Sequence, residues 1–223
     1  MLAELLTERP NVLLDFDGPV CSGFGAMSSR RLAEELAAKL ARAGAELGPG
    51  SGDDPIALLH RVRELAPALA EAAERTLRNL ERAAVRDAKP TPAVGDMLAA
   101  LNARGHSVTV VSNSAQDTVE EFLRSQSLYD QVTGVVGRTK PNPYLLKPNP
   151  HLLRVAAAGL GVALSSCVVL GDSVTDIQAA HRAGTAAIAF VDHAEKEEAL
   201  RAAGPDALIY DLGEVVDAVR ARG

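Results

Sequence analysis

From residue 89 onward, short apolar runs alternate with segments of helical periodicity. This alternation constrains the fold more than any other feature of the chain. Ser107-Val-Thr-Val-Val-Ser112, Val132–Val136, Cys167-Val-Val-Leu-Gly171, Ala186–Val191 and Ala207–Tyr210 read as strands. Helices are expected between them at about 92–104, 115–126, 150–160 and 174–183, and one further strand opens the chain at about 11–16 around Val12-Leu13-Leu14. Runs so poor in polar residues suit strands covered on both faces. The alternation predicts an α/β protein: a Rossmann-like, three-layer core with a mostly parallel sheet.

Residues 21–88 break the pattern. They are rich in Ala, Leu, Glu and Arg, carry no strand signal, and repeat apolar residues at helical spacing from Arg30 to Leu40. Gly48–Pro55 reads as a loop, followed by helices at about 55–66 and 67–88. The block is therefore expected to be a helical cap inserted after the first strand, leaving a core made of 1–20 and 89–223. A chain of 223 residues has room for one such core and one appended module. With 3% aromatic residues and no Trp, the core must be built from Leu, Val and Ala.

A net charge of −6 argues against a nucleic-acid footprint, while a local cationic site for a small anion remains compatible with it. Cys21 and Cys167 form no metal or redox spacing and suit a reducing compartment. The first ten residues place acids within a short apolar stretch, unlike a signal peptide or a membrane span. A cytoplasmic protein, monomer or homodimer, with no membrane contact is the expectation.

Polar residues gather where the strands should end, which is where open α/β sheets place their ligands. Asp15 and Asp17 close the first strand in Asp15-Phe-Asp17-Gly-Pro-Val20. Like charges this close repel, so the pair is either a binding feature or part of a turn; the segment alone leaves both open. Ser112 and Asn113 close the second strand. Ser112, Asn113 or Ser114 could cap the next helix, and the same geometry would seat an anion. Asp172 and Asp176, four residues apart, follow the strand at 167–171. Four acids at one edge ask for a cation, and an all-oxygen set suits Mg²⁺. A lysine precedes a proline twice, at Lys140 and Lys147. Lys147 is preferred, because Asn149 and Pro150 look like a helix start and would hold it at the active edge. Thr91 with Pro92 looks like a similar start.

In this order and spacing, Asp15-Phe-Asp17-Gly, Ser112-Asn113, Lys147-Pro-Asn-Pro and Gly171-Asp172-Ser-Val-Thr-Asp176 resemble the four motifs of the haloacid dehalogenase superfamily. The 21–88 insertion stands where members similar to phosphoglycolate phosphatase carry a helical cap. One residue departs from the pattern: Pro19 occupies a place usually held by Thr or a branched apolar residue, and it lacks a backbone donor.

The resemblance implies a phosphatase acting on a small phosphorylated metabolite. Asp15 would be the nucleophile and form an aspartyl-phosphate. Asp17 would be the general acid and then base. Mg²⁺ would be held by Asp15, the Asp17 carbonyl and Asp172, with Asp176 acting directly or through water. Ser112 and the Asn113 N–H would bind phosphate, and Lys147 would supply positive charge. Members that break carbon–halogen bonds lack the second acid, so Asp17 favours phosphate chemistry. Two alternatives stay open: a phosphosugar mutase similar to β-phosphoglucomutase, and a non-catalytic phosphate-binding module. Arg30 and Arg31 read as a solvated helix face, Cys21 and Ser22 as small hinge residues, and Cys167 as core. His60, His106, His151, His181 and His193 fit no ligand pattern and are read as structural.

Overall fold

In the computed structural model, residues 2–22, 28–48 and 53–221 are described. Residues 23–27 of the expected cap, 49–52 of the expected Gly48–Pro55 loop, and residues 1, 222 and 223 lie outside them. Six strands form one sheet: β1 Asn11–Leu14, β2 Ser107–Ala115, β3 Gly134–Arg138, β4 Cys167–Gly171, β5 Ala186–Phe190 and β6 Ala207–Ile209. Their order is β3-β2-β1-β4-β5-β6, and every pairing is parallel. The expected α/β class and parallel sheet are what the chain adopts.

Alternation along the strands sorts the interior into two layers. Val12, Leu14, Val108, Val110, Val168 and Leu170 face one side. There they meet α1 Leu2–Glu8, α5 Val94–Ala103, α6 Gln116–Ser125 and α10 Gly213–Arg220. Leu13, Val111 and Val169 face the other, against α7 His151–Leu160, α8 Val174–Ala183 and α9 Glu197–Ala202. Helices α1, α9 and α10 are short, and their patterns were too brief to read from the sequence. Leu6 of α1 is nonetheless buried, as are Leu200 of α9 and Val215 of α10.

Between β1 and α5 lie α2 Ser29–Arg42, α3 Pro55–Leu65 and α4 Ala70–Val85, which pack against one another. Their apolar faces (Leu32, Leu36, Leu58, Leu77) join the same interior as Phe16 and Phe122, whose rings meet edge to face at 5.2 Å. The two chain crossings into this unit run side by side: Ser22 N–H donates to the Lys89 carbonyl (3.1 Å) and Thr91 N–H to that of Val20 (3.0 Å). Thr91 is therefore not a helix cap. Its hydroxyl donates to the Gly18 carbonyl, and α5 begins later, after Ala93. Asn149 does act at the start of α7, accepting from His151 N–H at 2.9 Å.

Helix α4 is fastened to the sheet by a buried ion triad. Arg138, at the end of β3, donates to Glu74 (2.7 Å) and Glu81 (2.9 Å), and all three are nearly inaccessible to solvent. Burial pushes the Glu81 carboxyl upward, while the facing Arg138 opposes it. Removing one partner of such a group strands the others without hydration. Arg138→Ala is expected to lower unfolding free energy by about 3–5 kcal/mol in urea titrations. A loss below about 1 kcal/mol would show that the glutamates regain solvent.

Candidate active site

β1 lies between β2 and β4, so chain order reverses there and the loops after these three strands open a crevice at one edge. Leu14 pairs with Val110 and Leu170, and Asp15 N–H donates to the Leu170 carbonyl at 2.8 Å. This register sets Asp15, Ser112 and Asp172 at the ends of adjacent strands. They line one cleft of about 500 Å³ together with Asp17, Asn113 and Lys147.

Lys147 sits at the centre of this cluster. Its ammonium donates to Asp15 (2.7 Å), to Asp176 (2.5 Å) and to the Val111 carbonyl (3.0 Å), filling its three donors. Burial works against its charge, but Asp15 and Asp176 more than offset this and raise its pKa. Asn113 fixes the lysine's backbone from both sides: its Oδ1 accepts from Lys147 N–H (2.8 Å) and its Nδ2 donates to the Lys147 carbonyl (3.0 Å). Lys140 is exposed.

Asp15, Asp172 and Asp176 each bring a carboxylate oxygen within 4.8 Å of the others, and all three are buried. Desolvation, followed by the charge of Asp176, holds the Asp15 carboxyl well above the usual range. Burial pushes Asp172 up to about 7, with Lys196 pulling the other way. Asp17 is likewise pushed up to about 7, first by burial and then by the charge of Asp15. An oxygen set whose anionic form is this unfavourable suits a divalent cation. Asp176 is the most committed of the three, since its other oxygen accepts from Ser173 N–H and hydroxyl in a capping box that starts α8.

The loop after Asp15 is tight. Val20 and Cys21 N–H both donate to the Phe16 carbonyl, at 3.1 and 2.8 Å. Gly18 has φ +92°, and a Cβ there would lie 2.5 Å from Asp172 Cγ. Pro19 falls inside this turn, just before the two donors that close it, so its missing N–H is not one of them. Cys21 is buried, which drives its thiol up to about 12, and Cys167 is a core residue of β4.

Ser112, Asn113 and Ser114 do not cap α6. They belong to the last part of β2, where its register with β3 shifts between Val111 and Ala115. Ser112 Oγ accepts from Ser114 N–H (3.0 Å), and Glu81 of α4 accepts from Ala115 N–H (3.1 Å). Arg138 also donates to the Asn113 carbonyl (2.5 Å).

Three residues escaped the sequence reading, and a fourth, His60, is read there as structural. Glu81 and Arg138 were hidden because each lies in an ordinary charged or apolar pattern, and their partners are distant in sequence. Lys196, which contacts Asp172 and pairs with Asp192 (2.9 Å), stands in a polar run that reads as solvated. His60 lines the cleft, although no ligand spacing marks it. Arg30 and Arg31 lie exposed beside Glu34 (3.0 Å) and Glu35 (3.6 Å).

The model of the haloacid dehalogenase-like hydrolases matches residues 56–190. The chain belongs to that family. The matched region contains Ser112, Lys147, Asp172 and Asp176; Asp15 and Asp17 precede it and are tied to it by the strand register. The chain is 30% identical over 128 residues to a phosphoglycolate phosphatase of Synechococcus elongatus, covering 57% of this chain and 58% of that protein. It is 34% identical over 127 residues to the enzyme of that name from Salmonella choleraesuis, covering 54% and 46%. It thus spans about half the length of these relatives. Among solved structures, a predicted phosphatase from Clostridium acetobutylicum superposes with a TM-score of 0.71 over 94% of this chain and 97% of that one, at 16% identity. The chain therefore shares its fold with that protein over most of its length. Among the described residues, no helix is long and apolar enough to cross a membrane.

Three raised carboxyls make metal-free stability depend on pH. Between about pH 4, the ordinary range of these groups, and about pH 7, the folded chain retains protons that the unfolded chain has released. Stability in EDTA should therefore fall as pH rises through that window, and Asp172→Asn should make the slope shallower. Urea titrations at a series of pH values measure this; stability rising over the window would contradict the assignment.

Proposed function

We propose that the chain is a Mg²⁺-dependent phosphatase that hydrolyses a small phosphomonoester through a phosphorylated Asp15. The observation that carries this reading is the placement of Asp15: buried, held by a lysine, and grouped with two further acids at the sheet's switch point. Such a carboxylate can attack phosphorus and divide a very slow hydrolysis into two easier steps.

Lys147 aims one Asp15 oxygen and balances charge as the phosphoryl group arrives. Ser112 and the Asn113 backbone would receive the phosphate oxygens, on a segment steadied by Glu81 and Arg138. Asp17, with its carboxyl pushed up to about 7, can hold a proton near neutrality, deliver it to the departing alkoxide, and then take one from water. Asp15, Asp172 and the Asp17 carbonyl would hold Mg²⁺, with Asp176 acting directly or through water; the chemistry such an ion would supply is neutralisation of negative charge. Phosphoglycolate phosphatase relatives point to the same reaction class. Water-soluble phosphometabolites and a cytoplasmic setting fit this reading.

Phosphate release from p-nitrophenyl phosphate tests the proposal. Asp15→Asn and excess EDTA should each abolish turnover, and Mg²⁺ should restore the chelated enzyme. Asp17→Asn should lower kcat about 100- to 10,000-fold on an alkyl phosphate. The loss should be smaller on the nitrophenyl ester, whose leaving group needs no proton. Equal turnover by wild type and Asp15→Asn would contradict the mechanism.

A further inference from the structure

The cleft is also lined by residues of the helical unit. These are Ser29 and Leu32 of α2, and Asp54, Ile56, Ala57 and His60 at and beyond the start of α3. A phosphomonoester seated on the core side would extend its leaving group toward this cap wall. Resting on the phosphatase reading above, we propose that the wall selects an uncharged alcohol and disfavours a leaving group that carries a second anion.

Three observations support this. The start of α3 faces the cleft, and a helix N-terminus ordinarily attracts anions. Here it is already occupied: the Asp54 carboxylate accepts from Ile56 N–H (2.9 Å) and Ala57 N–H (3.3 Å), and Pro55 has no N–H. The helix end therefore presents a fixed negative charge to the cleft.

The cations that line the cleft lie on the core side and are engaged. Lys147 is held by Asp15, Asp176 and Val111, and Lys196 by Asp172 and Asp192. Among the described residues, the cap wall contributes no Lys or Arg, and the sequence has none in 23–27 or 49–52. Glu81 also lines the cleft, its charge matched by Arg138.

The rest of the wall suits a neutral group. Leu32, Ile56 and Ala57 offer apolar contact. The His60 ring is braced edge to face by Tyr144, with centroids 4.8 Å apart, and offers a ring nitrogen to a hydroxyl. A carboxylate on the leaving group would share this wall with the Asp54 carboxylate, and among the described residues no Lys or Arg of the wall faces it.

A matched pair of esters tests the proposal: 2-hydroxyethyl phosphate and 2-phosphoglycolate, alike in size but ending in CH2OH or a carboxylate. Each is assayed for phosphate release with Mg²⁺, beside p-nitrophenyl phosphate. The neutral ester should show kcat/KM about tenfold higher, the size of one like-charge contact in a wet site. Asp54→Asn keeps a capping oxygen and removes the charge, so it should shrink that ratio several-fold through the KM for 2-phosphoglycolate. A wild-type preference for 2-phosphoglycolate, or a ratio unmoved by Asp54→Asn, would overturn the inference and leave the phosphatase reading intact. No release from any of the three esters would overturn both.

Discussion

One buried ammonium group organises the cleft. Lys147 joins the ends of three separated segments: Asp15 after β1, the Val111 carbonyl in β2 and Asp176 in α8. Without that cation, Asp15, Asp172 and Asp176 would crowd like charges in a desolvated crevice, a strongly unfavourable arrangement. The rest of the edge supports the lysine. Asn113 clamps its backbone, Ser173 orients Asp176, and Gly18 lets the loop after β1 pass close to Asp172. A divalent cation would complete the neutralisation that Lys147 and Lys196 begin.

The helical insertion is coupled to the same edge by buried charge. Arg138 touches Glu74, Glu81 and the Asn113 carbonyl, while Glu81 also accepts from Ala115 N–H. The register shift in β2 spans the serines between those contacts. Helix α4 therefore does more than cover the sheet: it fixes the backbone that the proposed reaction would use to seat phosphate. Helix α3 lines the same cleft through its capping Asp54 and through His60.

Much of this was legible in the sequence, because the residues concerned sit next to strong local signals. Asp15, Ser112 and Asp172 each follow an apolar strand, and a parallel sheet brings such ends together. Lys147 could be preferred over Lys140 because Asn149 and Pro150 mark the helix that holds it. The hydroxyls at 112–114 were open to a capping role that the structure removes, since β2 runs on through them. Glu81, Arg138, Lys196 and His60 gave no local signal, because their significance comes from partners more than twenty residues away. Helices α1, α9 and α10 gained stability from burial against the sheet rather than from a periodic pattern of their own.

The central claim is that Asp15 itself carries the phosphoryl group during turnover. Acid quenching of the Mg²⁺-loaded enzyme with substrate, then reduction with borohydride and peptide mass spectrometry, tests it directly. The account predicts modification of Asp15 alone, absent from Asp15→Asn. Steady-state turnover with Asp15 unmodified, or a phosphoryl group trapped on another residue, would contradict it.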